Sequence, residues 1–355
     1  MAVSPEYTLT LSPRTRFDLI DVNALLRETH GDVLARYPRA LYASYHTTAG
    51  YVEEPDLHRL GVGPQGVRAH VEAYRRLYPE GAGYRHDHLP ERHELTEEQK
   101  KTEPLNADAH LSFIGAGLTN CVTYTARPDE PALFVDLDGV GVTGPRSRRT
   151  TVIGFGSEKL VAHAVLAAPA SELRVDSFNL RDGAFGLFDE LQALVERHGV
   201  SKGRLELRLL DDDVHAGLTV NEFETLLMTH DVREVMRNPF YFAAQKTWHA
   251  VRHPRSAREK LTDYAKYDAV LLVNQTLDRL GLRGTPVETA MNTLMGNSAR
   301  KRLRMKRTVN LPVSDHDRDG VGEIVQGTYQ SPILIQWNRP RQSVRHVDVR
   351  LYAFD

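Results

Sequence analysis

The side chains best suited to chemistry in this sequence gather in three short clusters. The first is Tyr45-His46-Thr47-Thr48-Ala49-Gly50, an imidazole beside two hydroxyls, followed by the carboxylates Glu53, Glu54 and Asp56. The second is Tyr84-Arg85-His86-Asp87-His88, and the third is Asn106-Ala107-Asp108-Ala109-His110-Leu111. Neutral imidazoles from separate elements, with a carboxylate at hand, suit zinc or another borderline divalent ion, whereas carboxylates and water alone suit magnesium. On that chemistry His46, His86 and His110 are the expected ligands of one divalent metal ion. Zinc is favoured, with magnesium or manganese as alternatives, and an open position is left for water or substrate. Glu54 is the expected general base, although spacing does not separate it from Glu53 or Asp56. Asp108, two residues before His110, suits the orienting of an imidazole through its second nitrogen. Thr47 joins His46 in the catalytic set, and both Thr47 and Thr48 offer hydroxyls to a phosphate or carboxylate of the substrate. A metal-free scheme uses the same residues, with His46 as base oriented by Asp87 or Asp108 and His110 as acid. Residue types and spacing leave both schemes open, beside the plain alternative of solvated loop histidines.

Elements must present these groups. Residues 39–45 alternate enough to read as a strand that delivers His46 to its end. Upstream, residues 5–12 read as a strand, and Asp21 is the expected N-cap of the helix that follows. Residues 66–78 place Val67, Val71, Tyr74 and Leu77 on one face of an amphipathic helix. Residues 81–105 are polar and read as a long surface loop, of the kind that often carries function. Strands around 119–126, 131–137 and 149–155 complete the first half. Arg146, Arg148 and Arg149 lie just past the second of these. They suit a bidentate grip on a phosphoryl or carboxylate group, or simply a charged strand end.

The second half repeats this plan. A strand near Leu173, an amphipathic helix over 187–200 closed by Gly199 and a strand over 204–210 lead to Asp213-Val-His-Ala-Gly217. Setting Ala216-Gly217 on Ala49-Gly50 places Asp213 opposite His46. The endings agree as well: Pro131-Ala-Leu-Phe-Val with Gly-Pro145-Arg146 recurs as Pro332-Ile-Leu-Ile with Arg-Pro340-Arg341. The pattern reads as a tandem duplication, with domains at 1–165 and 166–355 and an insert at about 223–310. The insert carries helical patterns at 223–237 and 256–281 and a basic run, Lys301–Arg307. That run lacks the interleaved aromatics that stack on bases and reads as a solvated helix face. Asp315–Gly320 reads as an Asp-Gly hairpin turn, because Glu323 follows too closely to complete a calcium loop.

Composition is that of an ordinary soluble protein: 355 residues, 41% hydrophobic, 26% charged and a net charge of −2. That balance gives no drive toward nucleic acid or an anionic membrane, and it leaves a small molecule as the expected partner. The single cysteine, Cys121, excludes an intrachain disulfide and reads as a core residue. With no secretory signal and no membrane-length apolar run, it points to the cytoplasm.

At these motifs the sequence resembles the YjbQ family, described as secondary thiamine-phosphate synthases. His46-Thr-Thr-Ala-Gly50 is similar to its His-Thr-Thr-Ala motif, and Asn106-Ala-Asp-Ala-His110-Leu111 to its Asn-x-x-Ala-His-Leu. Leu218-Thr-Val-Asn221-Glu222 through His230-Asp231 resembles its Asn-Glu segment followed by Asp. Gly327-Thr328-Tyr329-Gln330, ending at Pro340-Arg341, resembles its Gly-Thr-Trp-Gln strand and closing Gly-Pro-Arg. The resemblance implies an α+β fold built from two tandem domains, each a two-layer, sandwich-like pair of sheets with flanking helices. It implies a homo-oligomer, a trimer in the family, with sites near subunit contacts. It also implies a transferase that joins an activated pyrimidine diphosphate to a thiazole phosphate, and the divergence of the two halves suggests specialisation for a dedicated biosynthetic pathway. Tyr329 and Gln330 then join Thr48, Arg146 and Arg148 as substrate-binding residues. The two halves depart from the pattern in opposite ways. The first keeps His46, His86 and His110 without Gly-Thr-Trp-Gln; the second keeps Gly-Thr-Tyr-Gln and Asn221-Glu222 with Asp213 in place of the histidine. Hence the site belongs to the first half alone or is shared between halves. A metal-dependent hydrolase or lyase and a non-catalytic binding or scaffold protein are the rival readings.

Overall fold

The strand that delivers His46 is β3 (Arg39–Ser44), and it lies inside a four-stranded antiparallel sheet with β1 (Glu6–Leu11), β9 (Arg148–Phe155) and β5 (Cys121–Thr125), in the order β1-β9-β3-β5. The computed structural model describes residues 4–127, 130–141, 144–237, 305–316, 320–340 and 344–355. A small second sheet, in the order β2-β6-β4, joins β2 (Asp18–Asp21), β6 (Leu133–Asp136) and β4 (Ala49–Gly50). A two-stranded hairpin pairs β7 (Val140–Gly141) with β8 (Gly144–Pro145). Helix α1 (Val22–His30) starts where expected, with Asp21 Oδ1 accepting from the Asn23 and Ala24 amides at 3.0 and 3.2 Å. Its buried Val22 and Leu26 face the core.

The second half builds the same pattern. The larger sheet is β10 (Glu158–Ala168), β17 (Arg345–Phe354), β12 (Lys202–Leu209), β14 (Thr308–Ser314) and β15 (Glu323–Ile324), in the order β10-β17-β12-β14-β15. The smaller one runs β11-β16-β13, from β11 (Asp176–Asn179), β16 (Ser331–Gln336) and β13 (Ala216–Asn221). Strand for strand this is the order of the first half, with β15 added. Helix α6 (Leu187–His198) buries Leu187, Leu191 and Val195 against this core, and Gly199 closes it at φ 59°, a left-handed turn that glycine adopts without strain.

The repeat extends to side chains. Arg39 faces Phe155 across β3 and β9, its guanidinium 5.6 Å from the ring centre. Arg204 faces Tyr352 across β12 and β17 in the same way, at 4.1 Å. Both guanidiniums reach Glu158, at 3.2 and 2.9 Å. Phe155 stacks on Phe354 with ring centres 4.0 Å apart, in a cluster with Leu41, Ala43, Cys121 and Ile153. Burial pushes the Cys121 thiol up to about 12, which fits the core role expected of it and not a nucleophile's.

Several sequence expectations need correction. A boundary at 165/166 cuts through β10, all of which pairs with β17, so the change from the first sheet to the second falls between β9 and β10. By its contacts the chain divides not into halves but into one unit of Met1–His70, Gly117–Phe223 and Met305–Asp355 and another of Val71–Ala116 and Glu224–Arg304. The polar stretch 81–105 is not all loop. It contains a 3-10 turn, Leu89–Glu91, and α4 (Glu97–Thr102), whose Thr96 and Gln99 cap one another reciprocally. Helix α2 (Glu54–Arg59) follows the His46 turn, α3 (Pro64–Leu77) is the amphipathic helix expected over 66–78, and α5 (Ala107–Gly115) carries His110. Within the expected 223–237 helix, a π-helical turn over Leu227–Val232 runs into α7 (Arg233–Arg237). The helix expected at 256–281 and the basic residues 301–304 lie outside the described residues. Asp315 Oδ2 accepts from the Gly320 amide at 3.0 Å, with Gly320 at φ 88°; the hairpin turn expected between them includes residues 317–319, which lie outside the described residues. Among the described residues no helix is long and apolar enough to cross a membrane.

Phe155 is fully buried where the two large sheets meet, so Phe155→Ala should lower stability by about 3–5 kcal/mol. A thermal or urea unfolding curve measures this, and a loss below about 1 kcal/mol would show that the stacked pair does not tie the sheets together.

Candidate functional site

After Ser44 the chain leaves β3 and turns through Tyr45-His46-Thr47-Thr48 into β4. Side-chain amides take up several backbone carbonyls in and beside this turn. Asn120 Nδ2 donates to the His46 carbonyl at 2.6 Å and to that of Ala49 at 3.3 Å. Gln330 Nε2 donates to the carbonyls of Ser44 and His46 at 2.9 and 3.0 Å. Asn221 Nδ2 donates to the Thr47 carbonyl at 3.1 Å. Gln330 is itself fixed, its Oε1 accepting from the Gly327 amide at 2.8 Å. Gly327 packs so closely on the turn that a Cβ there would lie 2.0 Å from the Tyr45 carbonyl oxygen. Two of the three amides come from the second half of the chain.

The His46 ring is set by the Arg149 amide, which donates to Nε2 at 2.7 Å. A nitrogen that accepts carries no proton, so the neutral ring holds its proton on Nδ1. Burial, and then Arg148, Arg149 and Arg146 in that order, lower the His46 pKa to about 3. Of the three arginines, Arg148 is consumed by the fold. Its Nε and Nη2 grip both oxygens of buried Asp136 at 2.7 and 3.0 Å, and Nη2 also reaches the Asp138 carbonyl at 2.6 Å. Arg146 lies 3.2 Å from Asp138, and among the described residues its Nε has no hydrogen-bond partner. Arg149 is exposed, with its guanidinium 4.9 Å from the centre of the Tyr45 ring. A neutral imidazole thus sits among guanidiniums that still have donors to give, an arrangement suited to an anion.

His86 and His110 belong to the other unit. Asp231, in the π-helical turn, accepts from the Arg85 and His86 amides at 3.1 and 3.0 Å and so pins the His86 loop. Asp87 Oδ1 lies 3.1 Å from His86 Nδ1 and accepts from the Ala107 amide at 3.0 Å, which ties that loop to the first turn of α5. One turn further on stands His110, fully buried. The two ring centres are 5.2 Å apart, with ring nitrogens within 4.8 Å of each other. Arg92, also buried, ion-pairs with Glu94 and Glu103 at 2.7 Å each and brings Nη1 to 3.5 Å from His86 Nε2. The Tyr84 hydroxyl is pushed up by burial and then by the charges of Asp108, Asp87 and Asp231, a measure of how much carboxylate this interior holds.

Other expected site residues are engaged differently. The Glu54 carboxylate accepts from the Thr125 amide at 2.8 Å and so fastens α2 to β5. Lys306 lies 2.9 Å from Glu53 and 3.9 Å from Asp56. Arg148 and Gln330 spend the contacts above on the protein's own backbone and carboxylates. Thr47 and Thr48 stay in the turn, the Thr48 carbonyl accepting from Leu137. Tyr329, beside Gln330, is 68% exposed. His46 as a metal ligand requires its Nε2 to give up the Arg149 amide. Asn120 and Arg92 escaped the sequence reading: neither belongs to a histidine motif, and an isolated Asn or Arg carries no spacing signal.

No family model and no curated protein matches the chain. Solved structures do. A YbjQ-like protein of unknown function from Sulfolobus solfataricus is 15% identical; the match covers 56% of this chain and 99% of that one, with a TM-score of 0.31. A hypothetical protein from Aeropyrum pernix is 16% identical, with 55% and 100% covered and a TM-score of 0.30. An uncharacterised protein of the yjbq/upf0047 family from Clostridium acetobutylicum is 16% identical, with 54% and 99% covered and a TM-score of 0.24. Over about half its length the chain is similar to YjbQ-type proteins.

Because its folded pKa is depressed, neutral His46 contributes stability that is fully present above the ordinary value of 6.5 and is lost as pH falls toward about 3. In imidazole NMR spectra His46 should show no titration from about pH 8 down to about pH 4. A midpoint near 6.5 would contradict this environment.

Proposed function

We propose that the protein is an enzyme acting on a small anionic molecule, phosphorylated substrates being the favoured class, at the His46 turn. The observation that carries this reading is the seating of the His46 ring on the Arg149 amide, beside Arg146 with an unpartnered Nε and exposed Arg149. Phosphate oxygens match guanidinium donors in geometry and charge. The ring's Nδ1–H is the group left to meet a substrate oxygen. Burial depresses His46 first and the arginine charges second; a bound dianion offsets the second of these and raises the ring toward the range where it exchanges protons with substrate. The transfer suggested by the YjbQ resemblance, with two phosphorylated reactants and pyrophosphate released, fits this charge pattern. In this reading the chain descends from a duplicated domain whose second copy now braces the site of the first.

A second reading concerns the histidine pair. His86 and His110 place ring nitrogens within 4.8 Å of one another, and Asp87 stands at His86 Nδ1, the arrangement that orients an imidazole for a divalent ion. The Arg92 guanidinium beside His86 Nε2 must move for an ion to bind there. Elemental analysis should then find about one zinc or similar ion per chain, lost in His86→Ala/His110→Ala; an equal content in both proteins would reject this pair as the site.

For the main reading, calorimetric titration with inorganic pyrophosphate should show binding that weakens about tenfold or more in Arg146→Ala, the loss of a charge-assisted contact of about 1.5–3 kcal/mol. Equal affinity in both proteins would contradict an anion site at this turn. Pyrophosphate binding with no turnover across a panel of phosphorylated substrates would move the protein to the class of binding proteins.

A further inference from the structure

The place in the second half that answers to the His46 turn is not filled in. The strand registers fix the correspondence. Ala49 pairs with Asp136 and Ala216 with Gln336, so Asp213 occupies the position of His46 and Gln336 that of Asp136. Arg148 lies two residues before Thr150, which pairs with Ser44; Arg345 lies two residues before Val347, which pairs with Leu209. Arg345 is therefore the counterpart of Arg148. It has lost the carboxylate that its counterpart grips, because the amide of Gln336 turns instead to the carbonyls of Ser171 and Leu173. Arg345 has taken substitutes: Nη1 donates to the Asp213 carboxylate and Nη2 to the Asn338 carbonyl at 3.2 Å. Among the described residues its Nε has no hydrogen-bond partner, although the side chain is only 1% exposed. A buried guanidinium donor without an acceptor is costly, and native structures leave few of them.

A cavity of about 230 Å³ opens at this spot, lined by Arg345, Asp212, Asp213, His215 and His346, with the apolar Pro340 and Val344 among its walls. Arg307, which does not line it, spends its guanidinium on the carbonyls of Leu209, Leu210 and Asp213. One lining guanidinium, already paired with Asp213, leaves no surplus of positive charge to hold a dianion. One planar monoanion with an apolar body fits both the missing acceptor and the walls. We propose that this cavity is a second ligand site, distinct from the His46 turn, that takes a small monocarboxylate through Arg345.

Calorimetric titration of the full chain with propionate and benzoate, and with inorganic phosphate as the contrast, tests this. At least one carboxylate should bind with a Kd of about 1 mM or tighter, a reasonable affinity for so small a ligand. Arg345→Lys, which keeps the charge and removes the Nε donor, should weaken it at least tenfold. Should that variant fold poorly, Val344→Trp at the exposed rim fills the cavity and should abolish binding. His46→Ala should leave carboxylate binding unchanged, so that failure of this site and failure of the anion site at His46 give different results. No carboxylate binding in the wild-type chain, binding that survives Val344→Trp, or phosphate bound as tightly as carboxylate in the same cavity would each overturn the proposal.

Discussion

The candidate site depends on a single kind of contact, side-chain amides donating to the carbonyls of the His46 turn. A turn between two strands exposes backbone acceptors, and a buried acceptor left unmatched costs about 1–3 kcal/mol. Asn120, Asn221 and Gln330 meet that need from three different strands or strand ends. An amide suits this role better than a charged group would, because it brings no field of its own to the imidazole. The charge is supplied separately, by Arg146, Arg148 and Arg149 at the start of β9. Position and electrostatics are therefore set largely by different residues, with Arg149 serving both through its amide and its guanidinium.

The repeated strand order gives this division its meaning. The same frame is present in both halves, yet the residues at equivalent places have taken different roles. Arg148 is locked to Asp136, whereas Arg345 is shared between Asp213 and a backbone carbonyl. The first frame carries the imidazole, and the second contributes Asn221, Gly327 and Gln330 to holding it.

How much of this was legible in the sequence follows from how local each signal is. The Asp21 cap, the Gly199 stop and the β3 strand rest on short-range features, and each stands where it was expected. The repeat was legible because the alignment of Ala49-Gly50 with Ala216-Gly217 survives in the ladders. Strand β10 was not, because at the sheet edge it mixes exposed and half-buried positions without clean alternation. Helix α4 had its capping pair in plain view, Thr96 and Gln99, but its composition is that of a loop. The role of Arg148 depends on the pairing of β6 and β9 with neighbours far along the chain, which no local pattern reports. The histidine clusters read as one site because they are close in sequence, yet His46 falls in one unit and His86 and His110 in the other.

The measurement that bears most directly on this account is the His46 titration in Gln330→Ala, followed by imidazole NMR beside the wild-type protein. Loss of the amide frees the Ser44 and His46 carbonyls, so the turn should loosen and admit water. The account predicts that the His46 midpoint rises from about 3 toward its ordinary 6.5, while the far-ultraviolet circular dichroism of the strands is unchanged. A midpoint that stays near 3 in a well-folded Gln330→Ala protein would contradict the claim that the second half holds the site of the first.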